Sequence, residues 1–148
     1  MVLFRSAFRF VGYQQLVLGA NGDRFNRQEV IRENSLLRTG DADLKVSLQI
    51  PDAVLTGQRY DLDVVFDDPL EGAVVAGSIR PVTAGELLRM QTPDLPLEAL
   101  GGGGLFKSVQ APYQPGTQTW AVLLVHPKGI VAGSKQVRVV ADRADLNL

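Results

Sequence analysis

The stretch LFKSVQAPYQPGTQTWAVLLVHPKGIVAGSKQVRVVA, residues 105–141, reads as a β-hairpin with a lead-in strand. Leu105 to Gln110 forms the lead-in, and Pro112 with Pro115-Gly116 makes a rigid corner after it. From Thr119 to Val125 two apolar sets alternate: Trp120, Val122 and Leu124 on one face, Ala121, Leu123 and Val125 on the other. That is the pattern of a central strand covered on both sides, with Trp120 in the core. Pro127-Lys128-Gly129 predicts a tight turn, and Val137, Val139 and Ala141 close the sheet. A hairpin of this kind needs further strands to lie against, and the chain upstream supplies them.

Leu44, Val46, Leu48 and Ile50 alternate with Lys45, Ser47 and Gln49, which predicts a half-buried strand ended by Pro51-Asp52. Thr56-Gly57-Gln58 turns into a second such strand, with Tyr60, Leu62, Val64 and Phe66 inside and Asp61, Asp63 and Asp67 outside, closed by Pro69. Gly72 to Ile79 predicts an edge or bulged strand of small residues. Thr83-Ala84-Gly85-Glu86 has the spacing of a helix capping box, so one or two helical turns are expected from Thr83 to Met90. Gly101 to Gly104 lead into a strand rather than a helix, so they read as a connector and not a phosphate cradle.

Before this body lies residues 1–40, predicted to be an N-terminal hairpin arm. Tyr13 to Leu18 reads as one strand, Asn21-Gly22 as the reversing turn, and Arg24 to Arg32 as the return, with Phe25, Val30 and Ile31 as apolar contacts. An isolated two-stranded hairpin is marginal in water, so this one must pack on its own sandwich or on another chain. Residues 1–40 carry six arginines and three acids, a net of +3, against −1 for the whole chain, which leaves −4 for the remainder. Such asymmetry fits an arm docked on its own acidic body, or a basic handle for an acidic partner.

Turn signals every 8–12 residues and about seven strands predict an all-β, antiparallel β-sandwich over residues 41–148, with one short helical insert and the hairpin extension in front. The run Ala111-Pro112-Tyr113-Gln114-Pro115-Gly116-Thr117-Gln118-Thr119-Trp120, followed by a hairpin ending Val137-Arg138-Val139-Val140, resembles the last strand pair of immunoglobulin-like sandwiches. Leu44–Ile50 and Tyr60–Phe66, joined through Val54-Leu55-Thr56-Gly57-Gln58, are similar to their opening pair. Leu36-Leu37-Arg38-Thr39-Gly40, the Asp-rich second strand and Gly104-Leu105-Phe106-Lys107 resemble uncharacterised, often exported cyanobacterial proteins. The resemblance implies a fold and no catalytic residues.

The chain has no cysteine, which removes disulfides, thiolate metal sites and a thiol nucleophile. Its near-neutral charge argues against nucleic acid as a partner, and no apolar run is long enough for a secretory leader or a membrane span. His126, the single histidine, stands at a strand end beside Pro127 without evident partners and reads as turn-edge decoration. No cofactor is expected, and the reading is a non-catalytic protein-interaction or structural module. Its partner is expected to be another protein or a second copy, meeting a sheet edge or the arm, with Arg5, Arg9, Arg24, Arg27 and Tyr113 as contact candidates. The alternative is a carbohydrate- or calcium-binding module. Asp61, Asp63, Asp67 and Asp68 are the calcium candidates, since calcium takes six to eight oxygen ligands and this is the densest carboxylate group.

Overall fold

The computed structural model describes residues 8–39, 46–66, 75–83, 98–100, 104–126 and 129–147. They form two sheets packed face to face, an all-β sandwich. The strands are β1 (Phe8–Asn21), β2 (Arg24–Thr39), β3 (Val46–Gln49), β4 (Ala53–Leu55), β5 (Arg59–Phe66), β6 (Val75–Val82), β7 (Glu98–Leu100), β8 (Gly104–Gln110), β9 (Gly116–His126) and β10 (Gly129–Val140). The larger sheet runs antiparallel in the order β1-β2-β10-β9-β6-β7, and the smaller in the order β3-β5-β8.

The period-two patterns put the expected faces inside. On β5, Tyr60, Leu62 and Val64 are buried; on β9, Trp120, Val122 and Leu124; on β10, Val137 and Val139 are buried together with Val131, whereas Ala141 lies past the end of the strand and is exposed. Each fully buried aliphatic side chain here contributes about 1.5–3 kcal/mol relative to leaving it in water. The hairpin β9–β10 pairs from Val139↔Gly116 to Gly129↔His126. Its Pro127-Lys128 turn lies outside the described residues, as do the expected helical turns after Thr83 and the glycines 101–103.

Several elements depart from the sequence pattern. The second apolar set of β9, Ala121, Leu123 and Val125, is only half-buried, because the smaller sheet covers one face of the larger one. β6 is not an edge: it pairs with β9 along seven residues and with β7 on its other side. Between β3 and β5 the chain crosses to the opposite sheet, where β4 runs parallel to the end of β10, Ala53↔Arg138 to Leu55↔Val140. Pro51 ends β3 and Gly57, at φ 73°, returns the chain to the smaller sheet. The ring of Tyr113 lies over that glycine, so closely that an added Cβ would sit 2.8 Å from it. The polar tail is folded too: Arg143–Asn147 forms a 3-10 turn, opened by Asp142 Oδ1 accepting from the Ala144 amide at 3.1 Å. No helix among the described residues is long and apolar enough to cross a membrane.

Candidate functional site

β1 and β2 form the expected hairpin, but its turn falls one residue later than predicted, on Gly22-Asp23 with Gly22 at φ 65° and Asn21 still paired with Arg24, and it is longer than the apolar runs suggest, reaching from Phe8 to Thr39. Only the end of β2 away from the turn is joined to the rest of the sheet. β2 pairs with β10 from Arg38↔Val131 to Asn34↔Lys135, and there it leaves. Two register shifts, at Gln15/Leu16 and Gly19/Ala20, leave Ile31 and Asn26 as extra residues on β2. Ile31 is buried at the first of these bulges, and its carbonyl accepts from Arg138 Nε at 3.0 Å.

The outer edge of β1 has no partner among the described residues. Its 14 residues contain one charge, Arg9, and no proline. Phe10, Val11 and Tyr13 are 67%, 61% and 54% exposed, and Leu16 and Leu18 also stand in solvent. Natural edge strands are normally blunted by lysines, prolines or short length, because unpaired N–H and C=O groups recruit another strand. This edge carries none of those devices.

Charge is sorted across the hairpin. Side chains directly opposite in an antiparallel pair share a face, so the register places Arg9 with Arg38, Gln15 with Arg32, Gly19 with Arg27 and Asn21 with Arg24 on one face. The other face carries Phe10 with Leu37, Leu16 with Val30, and Leu18. Of the predicted contact residues, Arg24 and Arg27 are exposed together beside the turn, Arg9 is exposed on the same face at the other end of the hairpin, and Arg5 lies outside the described residues. Tyr113 is elsewhere, in the corner between β8 and β9. There it is 78% exposed and its hydroxyl accepts from Gln110 Nε2 at 3.0 Å. That corner and the hairpin do meet across a cleft of about 580 Å3, lined by Gln28, Glu29 and Val30 on one side and Pro115, Gly116 and Thr117 on the other.

Two cations, Arg32 and Arg138, hold the hairpin to the body, and a third, Lys135, shares the carboxylate that Arg32 uses. The carboxylate of Asp52, in the β3–β4 crossing, accepts from Arg32 Nε at 3.1 Å and from the ammonium of Lys135. Arg32 Nη1 also donates to Gln15 Oε1 on β1 at 2.5 Å. Partial burial acts to raise the Asp52 pKa, but the hydrogen bonds and charge of Lys135 and Arg32 outweigh it and hold the carboxyl below its ordinary value. The Lys135 side chain is only 7% exposed. Arg138 is buried as well. Besides Ile31 it donates from Nη1 to the Asp145 carbonyl at 3.1 Å, which ties the 3-10 turn to the hairpin, and its buried Nη2 has no partner. These anchors were not singled out from the sequence. The available signal was Lys135 at an inward position of an otherwise apolar alternation, Val131, Gly133, Lys135, Val137, Val139.

The remaining candidates stand apart. Asp61 is exposed and Asp63 half-buried on the outer face of β5, opposite Ser108 and Phe106; Asp67 and Asp68 fall outside the described residues. No group of three or more metal-ligating side chains occurs among the described residues. His126 pairs through its backbone with Gly129 at the head of the β9–β10 hairpin. In the core, Trp120 Nε1 donates to the Tyr60 hydroxyl at 3.0 Å, which donates to Gln118 Oε1 at 2.5 Å. Burial pushes the Tyr60 pKa up, against the hydrogen bond from Trp120. The ammonium of Lys107 lies 5.8 Å from the Trp120 ring centroid, a cation–π contact at the rim of a second cleft of about 440 Å3 between β6 and β8.

No curated protein matches the sequence. The model of one family, described as Domain of unknown function (DUF8623), matches residues 41–140, from just after the hairpin to the end of β10, and the chain belongs to that family.

Proposed function

We propose that this protein is a non-catalytic interaction or structural module, an immunoglobulin-like sandwich that works by adding the outer edge of β1, unpartnered among the described residues, to a sheet of its partner. The observation that carries this reading is an edge strand of 14 residues with a single charge and its aromatic and aliphatic side chains in solvent. In strand addition the main chain supplies affinity through its ladder of hydrogen bonds, and alternate side chains supply specificity. The exposed arginines Arg9, Arg24 and Arg27 on one face of the hairpin favour a partner with acidic groups flanking its edge.

The test uses the full chain, because Leu36 of the hairpin packs against the core and the Ile31 carbonyl accepts from Arg138, and a version starting at Asp41 would lose both. A photo-crosslinking side chain is placed at Val11, and in a second preparation at Tyr113. Products are mapped by mass spectrometry in native lysate, with and without Phe10→Lys. Products formed from Val11, absent from Tyr113 and removed by Phe10→Lys are expected. Equal products from both positions, or none from Val11, would refute the reading.

A further inference from the structure

The geometry points to a second copy of this chain as the strand that covers β1, paired antiparallel about a two-fold axis at Gln14. This rests on the reading of β1 as the working edge and names its occupant. An axis perpendicular to the sheet keeps every residue on its own face, so each position meets one of the same parity in the other copy. With Gln14 on the axis, Phe10 of one copy faces Leu18 of the other on one side of the sheet, and Gln14 faces Gln14. On the opposite side Val11 faces Val17, and Tyr13 faces Gln15. Apolar meets apolar and polar meets polar on both faces. Moving the axis one residue either way sets Val11 against Gly19 or Gln15 and loses that match.

The strand is thus palindromic in chemical character about its centre: Phe10-Val11, a polar middle of Tyr13, Gln14 and Gln15, then Val17-Leu18. Charge bears on the arrangement only at its two ends, where Arg9 of one copy and Arg27 of the other stand about 10 Å apart across Gly19, a separation at which salt largely screens them. Arg9 is the sole ionic side chain of β1 and faces Gly19 of the other copy, while the remaining hairpin arginines sit on β2, one strand removed from the seam. Like charges placed directly opposite would have been destabilising. Residues 8–20 give a seam of about 40 Å at the rise of a β-strand. With side chains from both faces it buries on the order of 1,000 Å2, the size at which a specific interface is sustained. The joined sheets form one continuous antiparallel sheet across the axis, and the unprotected edge disappears.

The test is sedimentation velocity on the full chain, followed by cysteine cross-linking, for which the absence of native cysteine gives a clean background. The wild type is expected to pass from the 16.0 kDa chain to twice that mass as concentration rises. Val11→Lys, at a position already in solvent and therefore compatible with folding, should weaken association at least about tenfold by placing two ammonium groups in the seam. Opposed residues of an antiparallel pair have Cα atoms about 4.5–5.5 Å apart, within disulfide reach. Gln14→Cys is therefore expected to form a disulfide dimer under mild oxidation, and Leu18→Cys is not. A chain that stays monomeric at about 100 µM, well above the range of specific homodimers, overturns the second-copy inference. So does a dimer indifferent to Val11→Lys, or one linked by Leu18→Cys and not by Gln14→Cys. In that event Val11-dependent crosslinks to a different protein would leave the interaction reading standing, and the loss of those as well would remove both.

Discussion

Replacing Asp52 with Asn keeps the shape of the side chain and removes a carboxylate that holds Lys135 and Arg32 together. The cost follows from how dry each partner is. Removing one partner from a fully buried ion pair costs about 3–5 kcal/mol, because it strands a charge in low dielectric, whereas an exposed pair is worth about 0.2–1 kcal/mol. Lys135 is 7% exposed and Asp52 42%. The ammonium therefore belongs to the first class and the carboxylate, screened by solvent, nearer the second, which sets the expected loss at about 2 kcal/mol. For a chain of this length that lowers Tm by roughly 4–8 °C.

The assay is urea unfolding of both proteins between neutral and acidic pH. The Asp52 pKa is depressed in the folded state, so its contribution is present above the ordinary carboxylate value of 3.8 and is lost as pH falls through the folded-state value. The gap between wild type and Asp52→Asn should be full at neutral pH and close in acid. Pairing Asp52→Asn with Lys135→Met should recover part of the loss, since the stranded charge is then gone. Equal stability at neutral pH, or a gap that does not close in acid, would refute the view that this pair anchors β10 to the hairpin.

Gly57→Ala should cost about 1–2 kcal/mol, because φ 73° is left-handed backbone and the new Cβ would meet the Tyr113 ring at 2.8 Å; Tyr113→Ala in the same chain should return the steric share, read by denaturant midpoints. Tyr60→Phe should cost about 1–3 kcal/mol by leaving Trp120 Nε1 and Gln118 without their shared hydroxyl. In the wild type the raised Tyr60 pKa makes stability full below pH 10.0 and declining as pH rises from there through the folded-state value; Tm scans of both proteins at alkaline pH should show that decline abolished in Tyr60→Phe. Leu62→Ala, at a side chain with 0% exposure between the sheets, should lose about 3–5 kcal/mol in urea titration.

The strands most legible in the sequence are those with one wet face. β5 shows Tyr60, Leu62 and Val64 against Asp61 and Asp63, and Gly22 announces the first hairpin because its place in the turn has positive φ, although Asn21 before it stays in the strand. β4 was invisible. Three residues carry no period, and their strand character comes from hydrogen bonds to β10, some 85 residues away in the chain. The length of β1 was hidden for a related reason: Arg9 and Gln14-Gln15 interrupt its apolar run, and only pairing with β2 carries the strand through them. The exposed arginines of the site were legible as charge, but their shared face depends on register and on two bulges that leave no mark in composition.

Alternation of side chains alone determined that this chain is all-β and which residues of β5 face inward, since the pleat gives every strand a period of two whatever surrounds it. Tertiary structure decided what lies beside each strand: that β1 has a partner on one side only among the described residues, that β2 leaves β10 at Lys135, and that Asp52, Lys135 and Arg32 converge. Pairing partners are chosen by contacts between residues distant in the chain, and an edge is defined by a neighbour that is missing. Neither is a local property of sequence.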